Sequence, residues 1–161
     1  MVDRERPLPA DSDVDMHVPR QRRELSRAPW SVLSVISLGG ALGSLARYGV
    51  SVVLASGPTS FPWGIFGINV SGCLLIGILM VLVTEVWTGQ RLVRPFLGVG
   101  VLGGFTTFST YVVDIQRLVN AGAGATALMY LVGTVVAALV AVYTGVTATR
   151  WLVRLRFKEQ R

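Results

Sequence analysis

The sequence has few charged residues where a soluble protein of this size would have many. Charged side chains make up 15% of its 161 residues, whereas ordinary soluble domains contain about 25%. Of these 24 residues, 12 lie in residues 1–27 and six in residues 150–161, so the 122 residues between them contain only six. A soluble fold could not solvate such a surface. Because 52% of the chain is hydrophobic, the sequence predicts a multi-pass, all-α membrane protein.

Cysteine and the fingerprints of enzymes are also scarce. Cys73 is the only cysteine, so no disulfide can form within the chain. Residues 98–103 match the glycine pattern of dinucleotide-binding folds, but no predicted strand precedes them and no acidic residue lies about 20 positions further on. No nucleophile, base or cofactor motif is present, and we expect no enzymatic activity.

The net charge of +6 does not indicate nucleic-acid binding. The basic residues flank apolar segments, where attraction to the cytoplasmic leaflet of a membrane explains them more simply. We therefore expect lipid, and no nucleic acid, as the partner of these charges.

Four apolar segments are long enough to cross a bilayer, whose hydrocarbon core of about 30 Å needs about 20 residues of helix. They lie at about 30–55, 63–86, 96–119 and 126–149, and are separated by proline, glycine and arginine. The sequence thus predicts a disordered charged cytoplasmic tail at 1–29, a four-helix transmembrane domain at 30–149, and a basic cytoplasmic tail at 150–161.

The lysines and arginines are distributed very unequally across the predicted membrane. Eleven of them, from Arg20 to Arg161, lie on the side of the two termini and of loop 87–95, whereas loops 56–62 and 120–125 contain none. Because basic residues favour the cytoplasmic side, we expect both termini in the cytoplasm and the protein in the cell membrane.

The third span contains a run that weakens a helix. Gly103 and Gly104 are followed by Thr106, Thr107 and Ser109, so we expect this helix to be broken at mid-membrane. Freed main-chain groups in a membrane must face a cavity, protein or an ion. Carbonyls at 103–106 would suit a small hard cation, which prefers oxygen ligands. The alternative is that the hydroxyls bond back to their own helix.

Two other polar residues in the spans need partners. Asn69 places a carboxamide in the second span, where it either binds a ligand or bonds to a neighbouring helix. Arg47 lies near the non-cytoplasmic end of the first span, where a charge at membrane depth costs about 2.5–3.5 kcal/mol. It could attract anions, or it could reach the membrane interface.

Aromatic and hydroxyl side chains recur at helical spacing in the last two spans. Phe108 and Tyr111 share one helical face, and the electropositive edge of an aromatic ring can face an anion. Tyr130 and Thr134 are four residues apart and could form a track of hydroxyls. Packing alone remains the alternative for the two rings.

A bundle of four helices has too little interior for a wide pathway, so we expect the pathway to form between two copies of the chain. Small residues spaced four apart let helices approach closely. Three such pairs are present: Gly39 and Gly43, Gly67 and Ser71, and Gly100 and Gly104.

Three motifs resemble those of the Fluc/CrcB family of fluoride channels, in the same order along the chain. The run at 103–111 (GGFTTFSTY) is similar to the family signature, and the first span contains the similar GGALGSLARY at 39–48. The second span has Pro62-Trp-Gly64 followed by Asn69-Val-Ser-Gly72 and Gly77. The resemblance covers about residues 33–145.

The resemblance implies an antiparallel, dual-topology dimer with two narrow pores and a central sodium ion that is structural and not transported. The backbone carbonyls of Gly103 and Thr106 would hold the sodium, and Arg47 would lie near the pore entrance. The fluoride pore would be lined by Asn69, Phe108, Ser109, Tyr111, Tyr130 and Thr134. The implied function is passive export of fluoride from the cytoplasm, which lowers its toxicity.

Three positions depart from the family pattern, in which Thr, Phe and a hydroxyl residue are usual. They are Ile65, Tyr111 and Ala138. Each alters a polar pore contact, which leaves open a non-conducting or half-active subunit that completes the channel of a paralogous partner. A small four-helix exporter is a further alternative, but the mid-membrane carboxylate that it needs in the first span is absent.

The dimer could pair the chain with itself or with a paralogous subunit. An antiparallel dimer needs one subunit in each orientation, and the strong basic bias predicts that this chain inserts mainly one way. The sequence therefore favours a paralogue as the partner.

Overall fold

A computed structural model describes residues 30–87, 89–90 and 92–158 of the protein. The predicted tail at 1–29 and the last three residues lie outside this range. Every regular element in the described range is a helix, which confirms the predicted all-α fold.

The helices are numbered α1 to α5 along the chain. Helix α1 spans Trp30–Val53, and α2 spans Trp63–Val81 and continues through a wider π-helical turn at Leu82–Val86. Helix α3 is π-helical over Arg94–Leu102 and ends in an α-helical turn, Gly103–Phe105. Helices α4 and α5 span Ser109–Asn120 and Gly124–Lys158.

These helices form four spans that are long and apolar enough to cross a membrane: Trp30–Val53, Trp63–Val86, Arg94–Asn120 and Gly124–Arg156. The protein is a multi-pass membrane protein, as predicted. The spans begin at or within two residues of the predicted starts. Helix α5 continues as far as Lys158, through most of the segment predicted to be the basic tail.

The third span consists of two helices, α3 and α4, joined by residues that are not helical. Thr106 is extended, with φ −78° and ψ 154°, and α4 begins at Ser109. This interruption is consistent with the break that the glycine and threonine run indicates.

Glycines bring the backbones of α1 and α3 into contact. A Cβ atom on Gly39 would lie 2.6 Å from the Phe96 carbonyl oxygen, and one on Gly100 would lie 2.9 Å from the Ile36 carbonyl oxygen. Two of the three predicted small-residue pairs therefore pack against each other. Gly67, from the third pair, has nothing within 4 Å of such a position.

Helices α2 and α5 make a second close contact. A Cβ atom on Gly77 would lie 2.6 Å from the Val142 carbonyl oxygen, and one on Gly145 would lie 2.5 Å from that of Leu74. Toward loop 56–62, buried side chains of α2, α4 and α5 form the apolar core. Its members are Ile65, Ile68, Tyr111, Leu118, Ala127 and Tyr130.

The α1–α3 contact generates the first prediction. A Cβ atom on Gly43 would overlap the Val101 carbonyl oxygen and lie 2.8 Å from the Phe105 nitrogen. We expect Gly43→Ala to lower the free energy of unfolding by about 1–3 kcal/mol, the usual effect of overpacking. Thermal unfolding in detergent measures it. The matched control is Gly49→Ala, also on α1 but with open space at its Cβ position; equal loss in both variants would contradict the packing.

Candidate ion pathway at the break in the third span

A cavity of about 480 Å³ lies beside the break, with walls from α2, α3, α4 and α5. Six residues assigned from the sequence line it: Asn69, Gly103, Thr106, Phe108, Tyr111 and Thr134. The structure thus brings together four predicted pore residues and both predicted sodium ligands. The same wall contains Ala138, one of the three departures from the family pattern.

Asn69 holds the break with two hydrogen bonds to one residue. Its Nδ2 donates to the Thr107 carbonyl at 3.0 Å, and its Oδ1 accepts the Thr107 N–H at 3.0 Å. The carboxamide therefore pairs both main-chain groups of a residue that has left the helix. Because Nδ2 carries two hydrogens, one N–H donor remains for a ligand in the cavity.

The break frees the two carbonyls predicted to bind sodium. In a continuous α-helix, the N–H of Thr107 would bond to the Gly103 carbonyl and that of Thr110 to the Thr106 carbonyl. Thr107 instead donates to Asn69, and the Thr110 N–H donates to the Thr107 Oγ1 at 3.3 Å. The carbonyls of Gly103 and Thr106 both lose their helical donors, so their oxygens suit a small hard cation. The Thr106 hydroxyl donates to the Leu102 carbonyl of its own helix at 2.9 Å, as in the alternative left open by the sequence.

Arg47 points at the break. Its side chain is half-buried, and its Nε donates to the Gly104 carbonyl at 3.1 Å. The Ser44 hydroxyl contacts the same oxygen at 3.4 Å. The sequence left two roles open for Arg47: attraction of anions and reaching the membrane interface. Neither role requires the hydrogen bond to the Gly104 carbonyl.

Phe108 and Tyr111 form a tilted ring pair with centroids 5.8 Å apart. The Phe108 side chain is 78% exposed in the single chain, whereas Tyr111 is only 7% exposed. The Tyr111 hydroxyl donates to the Leu131 carbonyl on α5 at 2.7 Å. The group that distinguishes this residue from phenylalanine is therefore bonded to the backbone, and the ring stays on the cavity wall.

The predicted hydroxyl track is divided by the structure. Thr134 lines the cavity, but its hydroxyl donates to the Tyr130 carbonyl of its own helix at 2.7 Å, so it is left as an acceptor. Tyr130 is fully buried against the rings of Phe61 and Tyr111 and does not line the cavity. Its hydroxyl has no hydrogen-bond partner among the described residues.

Ser109 also lies off the cavity wall. It is exposed, and its hydroxyl contacts the Thr107 Oγ1 at 3.2 Å.

The sequence analysis did not identify the role of Thr107 at the break. Its main-chain N–H and carbonyl bond to Asn69, and its Oγ1 accepts the Thr110 N–H. Its position directly after Thr106 in a hydroxyl-rich run was the available signal, because Ser and Thr oxygens cap helix starts.

A second cavity of about 250 Å³ lies toward loop 56–62 and is lined by the charged Asp114 and Arg117 and the buried Ile65, among others. Arg117 forms an ion pair with Asp114 at 3.2 Å and donates to the carbonyls of Ser56 and Gly57. It thus ties the loop to α4. The sequence signal was the three-residue spacing of an acid and a base on one helix.

The chain is similar to known proteins over most of its length. The family model described as "CrcB-like protein, Camphor Resistance (CrcB)" matches residues 34–146. The chain belongs to the CrcB family.

Curated CrcB relatives carry a consistent name. The chain is 55% identical over 121 residues to "Fluoride-specific ion channel FluC 2" of Nocardia farcinica, an alignment covering 75% of this chain and 86% of that protein. It is 50% identical to "Fluoride-specific ion channel FluC 2" of Streptomyces avermitilis, over 75% and 77% of the two chains. It is 47% identical to "Fluoride-specific ion channel FluC 1" of Streptomyces coelicolor, over 81% and 88%.

The two hydrogen bonds between Asn69 and Thr107 generate the second prediction. Asn69→Ala would leave the N–H and the carbonyl of Thr107 unpaired, and each such group costs about 1–3 kcal/mol. We expect the free energy of unfolding to fall by at least about 1 kcal/mol. Thermal unfolding in detergent measures this change. Asn120→Ala, at the exposed end of α4, serves as the control and should be neutral. An Asn69 variant as stable as this control would show that the break does not depend on the hydrogen bonds from Asn69 to Thr107.

Proposed function

We propose that this protein is a passive fluoride channel that exports fluoride from the cytoplasm across the cell membrane. The observation that carries the proposal is the cavity at the break, where Asn69, Phe108 and Tyr111 meet in a chain of the CrcB family. The names of the curated relatives support fluoride as the ion. Membership of this channel family also supports the expectation that the protein is not an enzyme.

The chemistry of the cavity wall suits a small, strongly hydrated anion. A narrow pore must replace the water around such an ion with donors, but a fixed positive charge would hold it too tightly for conduction. The free N–H of Asn69 and the ring edges of Phe108 and Tyr111 supply partial positive charge only. With the cell interior negative, the membrane potential drives the anion outward by about 2.3 kcal/mol per 100 mV.

The proposal includes a structural sodium ion on the carbonyls of Gly103 and Thr106. Both oxygens have lost their helical donors, and both lie at the carbonyl end of α3, which carries partial negative charge. The broken helix therefore offers oxygens to a cation, while Asn69 on the same cavity wall offers a donor to the anion. Sodium would order the dimer and would not be transported.

We further propose an antiparallel dimer in which the second subunit is a paralogue. Apolar side chains on α1 and at the break are exposed in the single chain, which leaves a surface for lipid or a second subunit; examples are Leu38 at 59%, Leu45 at 66% and Phe108 at 78%. The basic bias toward the termini favours one orientation, with both termini cytoplasmic, so the oppositely oriented subunit would come from another gene.

Fluoride efflux from liposomes tests the function. Reconstituted together with its paralogous subunit, the protein should release fluoride and not chloride, and Phe108→Ile should reduce the fluoride rate roughly fivefold or more, since it removes a ring-edge interaction of about 1 kcal/mol. The matched control is Tyr143→Ile, an exposed aromatic residue of α5 outside the cavity. Equal chloride and fluoride rates would overturn the proposal. A reconstituted pair whose fluoride rate is unchanged by Phe108→Ile would support the alternative of a completing subunit.

Insertion of the chain expressed by itself tests the paralogue. A tag at the C-terminus should be accessible almost only from the cytoplasmic side, as judged by protease protection in membrane vesicles. The control is a variant in which Arg150, Arg154 and Arg156 are changed to glutamine, which should insert in both orientations because the bias is reduced. A wild-type chain with tags on both faces, purified as a conducting homodimer, would refute pairing with a paralogue.

A further inference from the structure

The charge of Arg47 has no carboxylate partner in the part of the chain that the structure describes. The two ion pairs found there are Asp114 with Arg117 and Glu85 with Arg150. Arg47 instead bonds through Nε to a single neutral acceptor, the Gly104 carbonyl. A half-buried arginine inside a membrane span is costly without a compensating partner, so this carbonyl is an important contact.

The Gly104 carbonyl is one of the acceptors released by the break. In a continuous helix it would accept the N–H of Phe108, but the chain leaves the helix after Phe105. Ser44 and Arg47 on α1 replace this missing donor. They can do so because Gly104 packs directly on the main chain of Gly40, where no Cβ atom would fit.

Arg47 and the proposed sodium ion would share one end of one helix. The carbonyl end of α3 attracts cations because its last carbonyls point away from the helix without donors. Gly104 lies between Gly103 and Thr106, whose carbonyls are the proposed sodium ligands. Two positive charges at such a site repel each other, more strongly than in water because the surroundings are apolar.

We infer that Arg47 is a positioning residue that occupies the Gly104 carbonyl and, through its charge, weakens the binding of sodium to the carbonyls of Gly103 and Thr106. The hydrogen bond fixes the break, and the charge keeps the sodium site from being saturated at low sodium. This inference rests on the sodium site of the proposed function.

Two substitutions separate the hydrogen bond from the charge. In Arg47→Gln, the amide nitrogen is attached to Cδ, as Nε is in arginine, so a donor remains at the same distance from Cα while the charge is lost. Arg47→Met has similar length but neither donor nor charge. The matched control for loss of an arginine charge is Arg150→Gln. Arg150 is exposed, and its ion pair with Glu85 lies at the C-terminal end of α2.

The readout is thermal unfolding of the detergent-solubilised protein as sodium replaces a large organic cation at constant ionic strength. We expect the sodium concentration for half-maximal stabilisation to fall roughly tenfold in Arg47→Gln, as expected for two charges several ångströms apart. It should be unchanged in Arg150→Gln. Arg47→Met should unfold at a lower temperature than Arg47→Gln, because the Gly104 carbonyl keeps only the Ser44 contact.

Arg47→Lys provides a second test if the neutral variants do not fold. It keeps the charge, so its sodium midpoint should not fall below that of the wild type, and a fall would contradict the inference. A midpoint in Arg47→Gln equal to that of the wild type would overturn the inference alone. A wild-type protein that sodium does not stabilise would overturn both this inference and the sodium site. Sodium stabilisation without fluoride efflux would instead refute only the fluoride pore.

Discussion

A helix that is interrupted inside a membrane releases N–H and carbonyl groups that lipid cannot pair. Here the interruption lies between Phe105 and Ser109, and one carboxamide pairs both main-chain groups of Thr107. The position of α2 is therefore tied to the position of the break. The free Gly103 carbonyl follows from that pairing, because Thr107 donates to Asn69 instead. The Thr107 Oγ1 in turn accepts the Thr110 N–H at the start of α4, which leaves the Thr106 carbonyl free.

Two kinds of polar group lie close together at the break. The carbonyl end of α3 is rich in oxygens and lies beside Arg47, whereas Asn69, Phe108 and Tyr111 present partial positive charge to the cavity. The break in the third span and the facing Asn69 of α2 can thus offer sites to a cation and to an anion close together, without a fixed charge on the cavity wall. Close approach of α1 and α3 at their glycines makes the arrangement compact enough for Arg47 to reach Gly104.

Much of the fold was predictable, because spans are set by apolar length and the break by Gly103, Gly104 and the threonines that follow. The partners of individual polar groups were less predictable. The sequence indicated that Asn69 and Arg47 need acceptors, but pairing with Thr107 and Gly104 depends on how α1 and α2 pack, which no local pattern encodes. Tyr130 shows the converse: its spacing from Thr134 suggested a shared track, yet the ring is buried against Phe61 and Tyr111.

The departures from the family pattern also have different physical meanings once the packing is known. The Tyr111 hydroxyl is bonded to the Leu131 carbonyl and leaves the ring on the wall, so this change preserves the aromatic contact. Ala138 lines the cavity without a polar group, and Ile65 is buried beside the second cavity. Of the three departures, only Ala138 lies on the wall of the cavity at the break without a polar group.

Asn69 holds an interrupted third span, and we propose that the free carbonyls and the adjacent cavity bind ions. The most direct measurement is an experimental structure of the protein in lipid with sodium fluoride. We expect the two Asn69–Thr107 hydrogen bonds, a cation on the carbonyls of Gly103 and Thr106, and an anion beside Asn69 and Phe108. A third span that is continuously helical from Arg94 to Asn120, with Asn69 bonded elsewhere, would contradict it.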